Sequence, residues 1–268
     1  MLASRFMPFR AAFSPTVNEE RPSPVLMWLE ARAALEMASL PLALPALLRY
    51  VPRGDGHPVL VLPGLLADDA STAPLRRFLA GRGYAVQGWG QGRNLGPREG
   101  VIAQMQETLA QMHASEQRKV SIIGWSLGGV FARELARHAP ELVRQVVTLG
   151  SPLYGEPETS SNAWEVYKLG IGRTRGDDGV RGDGAPPVPT TSIYTRMDGV
   201  VGWGCSVERQ SELTDNIEIN SATHTGLGVN PLVWYALGDR LALPEDEWAH
   251  FKPKGFAKLL FPFKAPKR

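Results

Sequence analysis

The chain has 268 residues, of which 43% are hydrophobic and 21% charged; this suits one large α/β domain and argues against a disordered protein or two full domains. A single cysteine, Cys205, excludes an intramolecular disulfide and a cysteine-built zinc site, and it reads as a small apolar filler. The net charge of +2 is uneven: residues 250–268 carry six cations and no acid, which leaves about −4 on the rest.

Residues 1–22 contain Arg5, Arg10 and several prolines without an unbroken apolar stretch, so no secretory signal is expected and a cytoplasmic protein is. Residues 25–48 are richer in Leu, Ala and Met. Glu30, Arg32, Glu36, Pro41 and Pro45 interrupt them too often for a membrane span. Val25, Leu29, Arg32 and Leu35 fall at helical spacing, which predicts an amphipathic helix to about Leu40 and a proline-punctuated segment after it. Residues 1–50 are therefore read as a segment packed on the core, with a cover for the active site or a lipid contact as the second reading.

The core domain is expected over residues 51–249. Residues 57–63 (HPVLVLP) form a continuous apolar run, the mark of a buried parallel strand. A helix is predicted over 73–80, capped by Ser71 or Thr72, and a strand over 84–89. The turn 90–97 (GQGRNLGP) then leads into a long helix over 98–117. Strand 120–123, helix 127–138 and strand 143–149 continue the rhythm, which implies right-handed crossovers and a doubly wound, mostly parallel sheet with ligands beyond the carboxyl ends of its strands. Residues 154–189 break that rhythm, with one short helix at 163–169 and then a Gly/Asp/Arg/Pro run. Because they leave a strand end, a lid or cap is expected there. Short strands at 191–195 and 217–219 and a helix over 231–243 complete the domain.

In the tail, Phe251, Phe256, Phe261 and Phe263 interleave with Lys252, Lys254, Lys258, Lys264, Lys267 and Arg268. Packing of the phenylalanines back on the domain is the preferred reading, and contact with an anionic membrane surface is the alternative. No nucleic-acid-binding module accompanies the charge.

The chemistry centres on Gly124-Trp125-Ser126-Leu127-Gly128-Gly129, set between a strand and a helix. A serine on such a bend has its hydroxyl exposed and unfavourable backbone angles, and side chains two residues away would collide; Gly124 and Gly128 remove the collisions. A serine hydroxyl needs a base, and the base needs an acid. His57 falls at the wrong end of the sheet, His113 and His138 sit late on helices, and His250 lies in the tail. His224 follows the last strand and is the expected base. Asp198, directly after the strand at 191–195, is the expected acid. Asp177, Asp178 and Asp183 look solvated, and Asp215 and Glu218 are placed about the start of the last strand.

With LPGLLAD (62–68), GWSLGG (124–129), LGSPLYG (149–155), MDGVV (197–201) and THTGL (223–227), the chain resembles α/β-hydrolases of the lipase/esterase type over residues 57–240. That resemblance implies oxyanion donors at Leu65 and Leu127, although Pro63 stands where many lipases carry histidine. It implies acyl transfer through a covalent intermediate on Ser126, with no metal or organic cofactor. Leu66, Trp125, Leu153, Tyr154, Val200, Val201 and Trp203 are the expected lining, which suits an apolar acyl chain, and the 91–94 loop reads equally as lining or as a plain turn. An acyltransferase or amidase using the same triad, and a non-catalytic membrane-peripheral binding protein of this fold, are the alternatives. Oligomeric state is left open.

Overall fold

Runs such as Pro58–Leu62 and Val143–Leu149 are buried along their whole length, as strands covered on both faces must be. In a computed structural model, which describes residues 19–164 and 184–261, they are β1 and β4 of one parallel sheet. The other strands are β2 (Ala85–Gly88), β3 (Val120–Trp125), β5 (Thr190–Tyr194) and β6 (Thr214–Glu218), and the order is β2-β1-β3-β4-β5-β6. The helices are α1 (Pro24–Leu29), α2 (Ala33–Tyr50), α3 (Asp69–Gly81), α4 (Val101–Glu116), α5 (Leu127–His138), the short α6 (Pro157–Ser160) and α7 (Pro231–Leu241).

Alternation along β1 divides the core. Val59 and Val61 join an apolar cluster with residues of α2, α3 and α7, whereas Leu60 and Leu62 join one with α4 and α5. The sheet thus has helices on both faces, as expected. All strands run parallel, but the order in which they are added reverses between β1 and β3, and in such sheets that switch point opens the crevice used by ligands. The loops after β1 and β3 carry Leu65 and Ser126, so both lie at that crevice.

Three expectations need correction. Helix α2 does not end near Leu40 but runs to Tyr50 through Pro41 and Pro45. Both prolines are exposed, as is Met37, whose carbonyl loses its usual donor, so the disrupted bonds lie on the outer side of the helix. Helix α3 begins at Asp69 rather than Ala73, and its cap is Asp68, whose carboxylate accepts the Ala70 N–H at 2.9 Å. Glu218 ends β6 rather than starting it, and there it accepts hydrogen bonds from the Tyr194 hydroxyl and the Arg196 guanidinium, both at 3.0 Å. Cys205 is buried, in keeping with a filler role. The secretory-signal reading of residues 1–18 lies outside the described residues. So do most of the segment expected to form a lid, most of the helix expected at 163–169, Asp177, Asp178 and Asp183, and the tail beyond residue 261.

At the amino end of the sheet His57 is fully buried. Its Nδ1 lies 2.5 Å from Asp55 Oδ1 and its Nε2 lies 2.8 Å from Ser121 Oγ. Arg118 and Arg144 close on the outer oxygen of Asp55 at 2.6 and 2.9 Å. Burial, only partly offset by Asp55, pushes the imidazole down to about 4, so it is neutral at pH 7. An unfolded histidine binds a proton near pH 6.5, so lowering the pH from 6.5 to 4 favours the unfolded chain, and the loss levels off below 4. His57→Asn is therefore expected to flatten the dependence of unfolding free energy on pH within that window, by up to about 1.4 kcal/mol per pH unit. Urea melts at stepped pH measure this slope, and an unchanged slope would refute the assignment.

Candidate active site

Ser126 joins β3 to α5 at φ 52° and ψ −121°, outside the regions a serine ordinarily occupies. The bend is held from both sides. Its N–H donates to the Leu149 carbonyl at 2.8 Å, and its own carbonyl accepts the Gly129 N–H at 3.0 Å. Added side chains would not fit: a Cβ on Gly124 would lie 2.3 Å from the Gly128 oxygen, and one on Gly128 would lie 2.5 Å from the Leu62 oxygen. The sequence-level argument for these glycines therefore holds. The serine side chain stays partly accessible at the start of α5.

Asp198 and His224 come from the loops after β5 and β6. Asp198 is buried, and its Oδ2 lies 2.7 Å from His224 Nδ1. Its Oδ1 accepts the N–H groups of Val200 and Val201 at 2.8 and 2.7 Å, which fixes the carboxylate's orientation. Burial pulls the imidazole pKa down; the charge and hydrogen bond of Asp198 outweigh it, and with the nearby charge of Glu30 they raise it above 6.5. Gly150, at φ +55°, connects this pair to the serine turn. It follows Leu149, which accepts the Ser126 N–H, and a Cβ on it would lie 3.1 Å from His224 Nδ1 and 3.2 Å from Asp198 Oδ2. The three residues expected to act together are thus gathered around one stretch of backbone.

The loop after β1, where an oxyanion donor is expected, passes close to the serine. A Cβ on Gly64 would be 3.2 Å from Ser126 Cβ, so the chain entering Leu65 passes directly beside the serine. Leu65 and Leu127 are both partly exposed, on the loop after β1 and at the first residue of α5. Asn94, rated evenly between lining and plain turn, does neither. It is buried, donates from Nδ2 to the Pro63 carbonyl at 2.8 Å, and pairs through its backbone with Ala67 and Leu66, each at 2.7 Å. It supports the loop that Leu65 belongs to.

The expected lining residues divide. Leu66 is 41% exposed, and Val200 is half-buried. Leu153 and Val201 are buried. Trp125 supports the histidine loop, with its indole N–H donating to the His224 carbonyl at 3.1 Å. Tyr154 is taken up elsewhere: its hydroxyl bonds to Glu208, and its ring lies between the guanidiniums of Arg133 and Arg209. Trp203 stacks on Tyr194 with Arg196 over its ring at 4.3 Å, so it too belongs to a charged cluster rather than to an apolar wall. Residues 154–164 are tied to the acid loop through the Asn162 N–H, which donates to the Val200 carbonyl at 2.8 Å.

Two residues escaped sequence reasoning. Glu30 and Glu36 looked like interruptions of an apolar segment, yet their carboxylates turn inward. Glu30 Oε1 accepts the N–H groups of Gly199 at 2.8 Å and His224 at 3.0 Å, and Oε2 accepts that of Thr225 at 2.8 Å. Glu36 Oε1 accepts the N–H and hydroxyl of Thr223, both at 2.9 Å, and Oε2 accepts Asn230 Nδ2 at 2.8 Å. The segment before β1 therefore holds the loops carrying both Asp198 and His224.

An α/β-hydrolase fold family model matches residues 58–187. Human serine hydrolase BPHL is 32% identical over 123 residues, 42% of each chain. The pimeloyl-[acyl-carrier protein] methyl ester esterase of Aliivibrio salmonicida is 31% identical over 103 residues, 37% of each chain. The matched stretch therefore spans well under two thirds of either relative. Among solved structures, Aspergillus fumigatus lipase B aligns at a TM-score of 0.54 and 19% identity, covering 72% of this chain and 54% of that one. Bacillus licheniformis lipase BlEst2 aligns at 0.53 and 16%, covering 72% and 94%. These two likenesses establish the fold.

Replacing Glu30 by glutamine keeps an acceptor but removes a negative charge next to the imidazole. The His224 titration midpoint, followed by NMR of labelled imidazole nitrogens, is expected to fall. A midpoint that does not move would show that Glu30 acts only as a backbone anchor.

Proposed function

We propose that this chain, a member of the α/β-hydrolase superfamily, is a serine carboxylester hydrolase acting on esters with an apolar acyl chain. The observation that carries the reading is the strained, partly accessible Ser126 sharing the Leu149–Gly150 backbone with a buried Asp198–His224 pair. In this mechanism His224 takes the Ser126 proton as the hydroxyl oxygen attacks the ester carbonyl. Asp198 holds the proton on Nδ1, which leaves Nε2 free to act as the base. The N–H groups of Leu65 and Leu127 receive the negative charge that develops on the carbonyl oxygen, and removal of such a donor typically costs about 10²–10³ in rate. His224 then protonates the leaving alcohol. It next draws a proton from water as the water oxygen attacks the acyl carbon, and returns that proton to the Ser126 oxygen as its bond to the acyl group breaks and the carboxylic acid leaves.

The likeness to an ester-cleaving relative supports the reaction class, and the exposed apolar Leu66, on the loop that passes Ser126 at Gly64, supports an apolar acyl group. Ester turnover also distinguishes two Ser–His–Asp sets in one chain. Ser121 contacts His57, but it is fully buried within β3, where no ester can reach it. Ser126→Ala is expected to lower hydrolysis of p-nitrophenyl esters by about 10⁴-fold or more, whereas Ser121→Ala retains it and loses thermal stability. Equal activity of the two variants would overturn the assignment. Asn94→Ala, which loosens the loop before Leu65, is expected to reduce kcat about 10-fold with little change in KM, because that loop serves the transition state more than the bound ester. Steady-state kinetics on short- and long-chain esters reads both effects.

A further inference from the structure

A helix on the surface of a soluble domain ordinarily buries its apolar stripe and shows water its charges. Helix α2 does the reverse. Every exposed residue from Ala31 to Leu48 is Ala, Leu, Met or Pro, with Leu35 71% and Leu42 86% exposed. The preceding α1 adds Trp28, 84% exposed, and Val25. The carboxylates that would have served as the polar face, Glu30 and Glu36, point inward to the loops bearing Gly199, Thr223 and His224. A contiguous apolar face of this kind marks a docking surface, unlike isolated exposed leucines.

The charges beside it identify the partner. After Leu48 the chain turns to Arg49 and Arg53, both exposed. A second apolar exposure, Phe256 at 73% and Leu259 at 73%, lies on the turn Gly255–Leu259 among exposed Lys252, Lys254 and Lys258. Both surfaces belong to the layer over α7. Leu47 and Val51 join the same apolar cluster as Phe261, and Phe251 and Phe261 lie against the Tyr235 ring. Neither α1 and α2 nor the 252–260 turn exposes an acid, and the exposed Asp55 beyond Arg53 is already held by Arg118 and Arg144. Two copies of the chain meeting through this face would set cations against cations, and an uncharged protein partner would leave the cations without use.

We propose that α1, α2 and the 252–260 turn form one docking face for an anionic lipid surface, with the helix lying in the interface. Pro24–Tyr50 is long and apolar enough by composition to cross a membrane. Crossing would, however, pull Leu40 and Leu47 from the core and break the three hydrogen bonds that each of Glu30 and Glu36 makes. Lying flat keeps them, and it brings the lipid plane to the rim where the acid and base loops sit. This inference stands apart from the hydrolase assignment, since it requires no turnover.

The full chain is to be sedimented with phosphatidylcholine vesicles with and without phosphatidylglycerol. The wild type is expected to bind the anionic vesicles and to be weakened by salt. A Trp28→Ser/Leu35→Ser/Leu42→Ser variant, with its circular-dichroism melt checked, is expected to lose at least tenfold in partitioning. Replacing Lys252, Lys254 and Lys258 by serine should weaken binding only where phosphatidylglycerol is present. No vesicle binding by the wild type, or equal binding by the Trp28→Ser/Leu35→Ser/Leu42→Ser variant, would overturn the proposal. So would a discrete dimer in light scattering that the variant dissolves without any effect on vesicles, or resistance to alkaline carbonate extraction, the sign of a spanning helix.

Discussion

A carboxylate buried beside an imidazole is tolerable only when its remaining lone pairs are claimed, and the arrangement around Asp198 follows from that requirement. One oxygen faces His224 and the other takes two backbone N–H groups from the turn directly after it. The turn must therefore be tight, and its far side needs support as well. Glu30 provides it by accepting the N–H of Gly199 on the acid loop and those of His224 and Thr225 on the base loop. One carboxylate from a segment more than 160 residues earlier in the chain thus joins the two loops whose side chains lie 2.7 Å apart.

The same three residue types occur at the opposite end of the sheet and illustrate what geometry alone leaves out. Ser121, His57 and Asp55 are hydrogen-bonded in sequence, at distances within 0.2 Å of that of the Asp198–His224 pair. Ser121 nevertheless lies inside a strand with ordinary backbone and no access, and burial holds its histidine neutral down to about pH 4. Two arginines neutralise Asp55, which makes the cluster an anchor between β1, β3 and β4. At the carboxyl end the serine is strained and reachable, and its histidine is driven upward in pKa rather than downward. Accessibility, backbone strain and the sign of that shift distinguish the two sets.

Much of this was legible in the sequence because it depends on short-range steric rules. Helix α5 and strand β4 fall on their expected boundaries, and the glycines flanking Ser126 are needed for the reason the motif suggests. What was not legible depends on long-range pairing. Nothing local to Glu30 or Glu36 announces donors nearly two hundred residues away. Tyr154 and Trp203 look like an apolar wall in a list of residue types, yet each is drawn into a guanidinium cluster by partners distant in the chain. Pro41 and Pro45 read as helix breakers because local rules assume that every freed carbonyl is costly. On an outer face those carbonyls meet solvent or lipid headgroups, and the penalty shrinks.

The inverted polarity of α2 follows from the same constraint that governs Asp198. Backbone donors at residues 199 and 223–225 lie where the acid and base loops turn, and sheet hydrogen bonding does not reach them. Carboxylates are the strongest acceptors available, and a neighbouring helix is the stiffest way to deliver them. A helix that directs its charges inward has only apolar residues left for the outside, unless polar ones are added there. Between Ala31 and Leu48 no fully exposed polar residue has been added, and the part-exposed Arg32 turns its guanidinium to the Ser221 carbonyl. Loop support alone explains the two inward glutamates but not the uniform Ala, Leu, Met and Pro facing away from them. That outer face therefore requires its own physical reason, and an interface of low polarity bordered by anions supplies one.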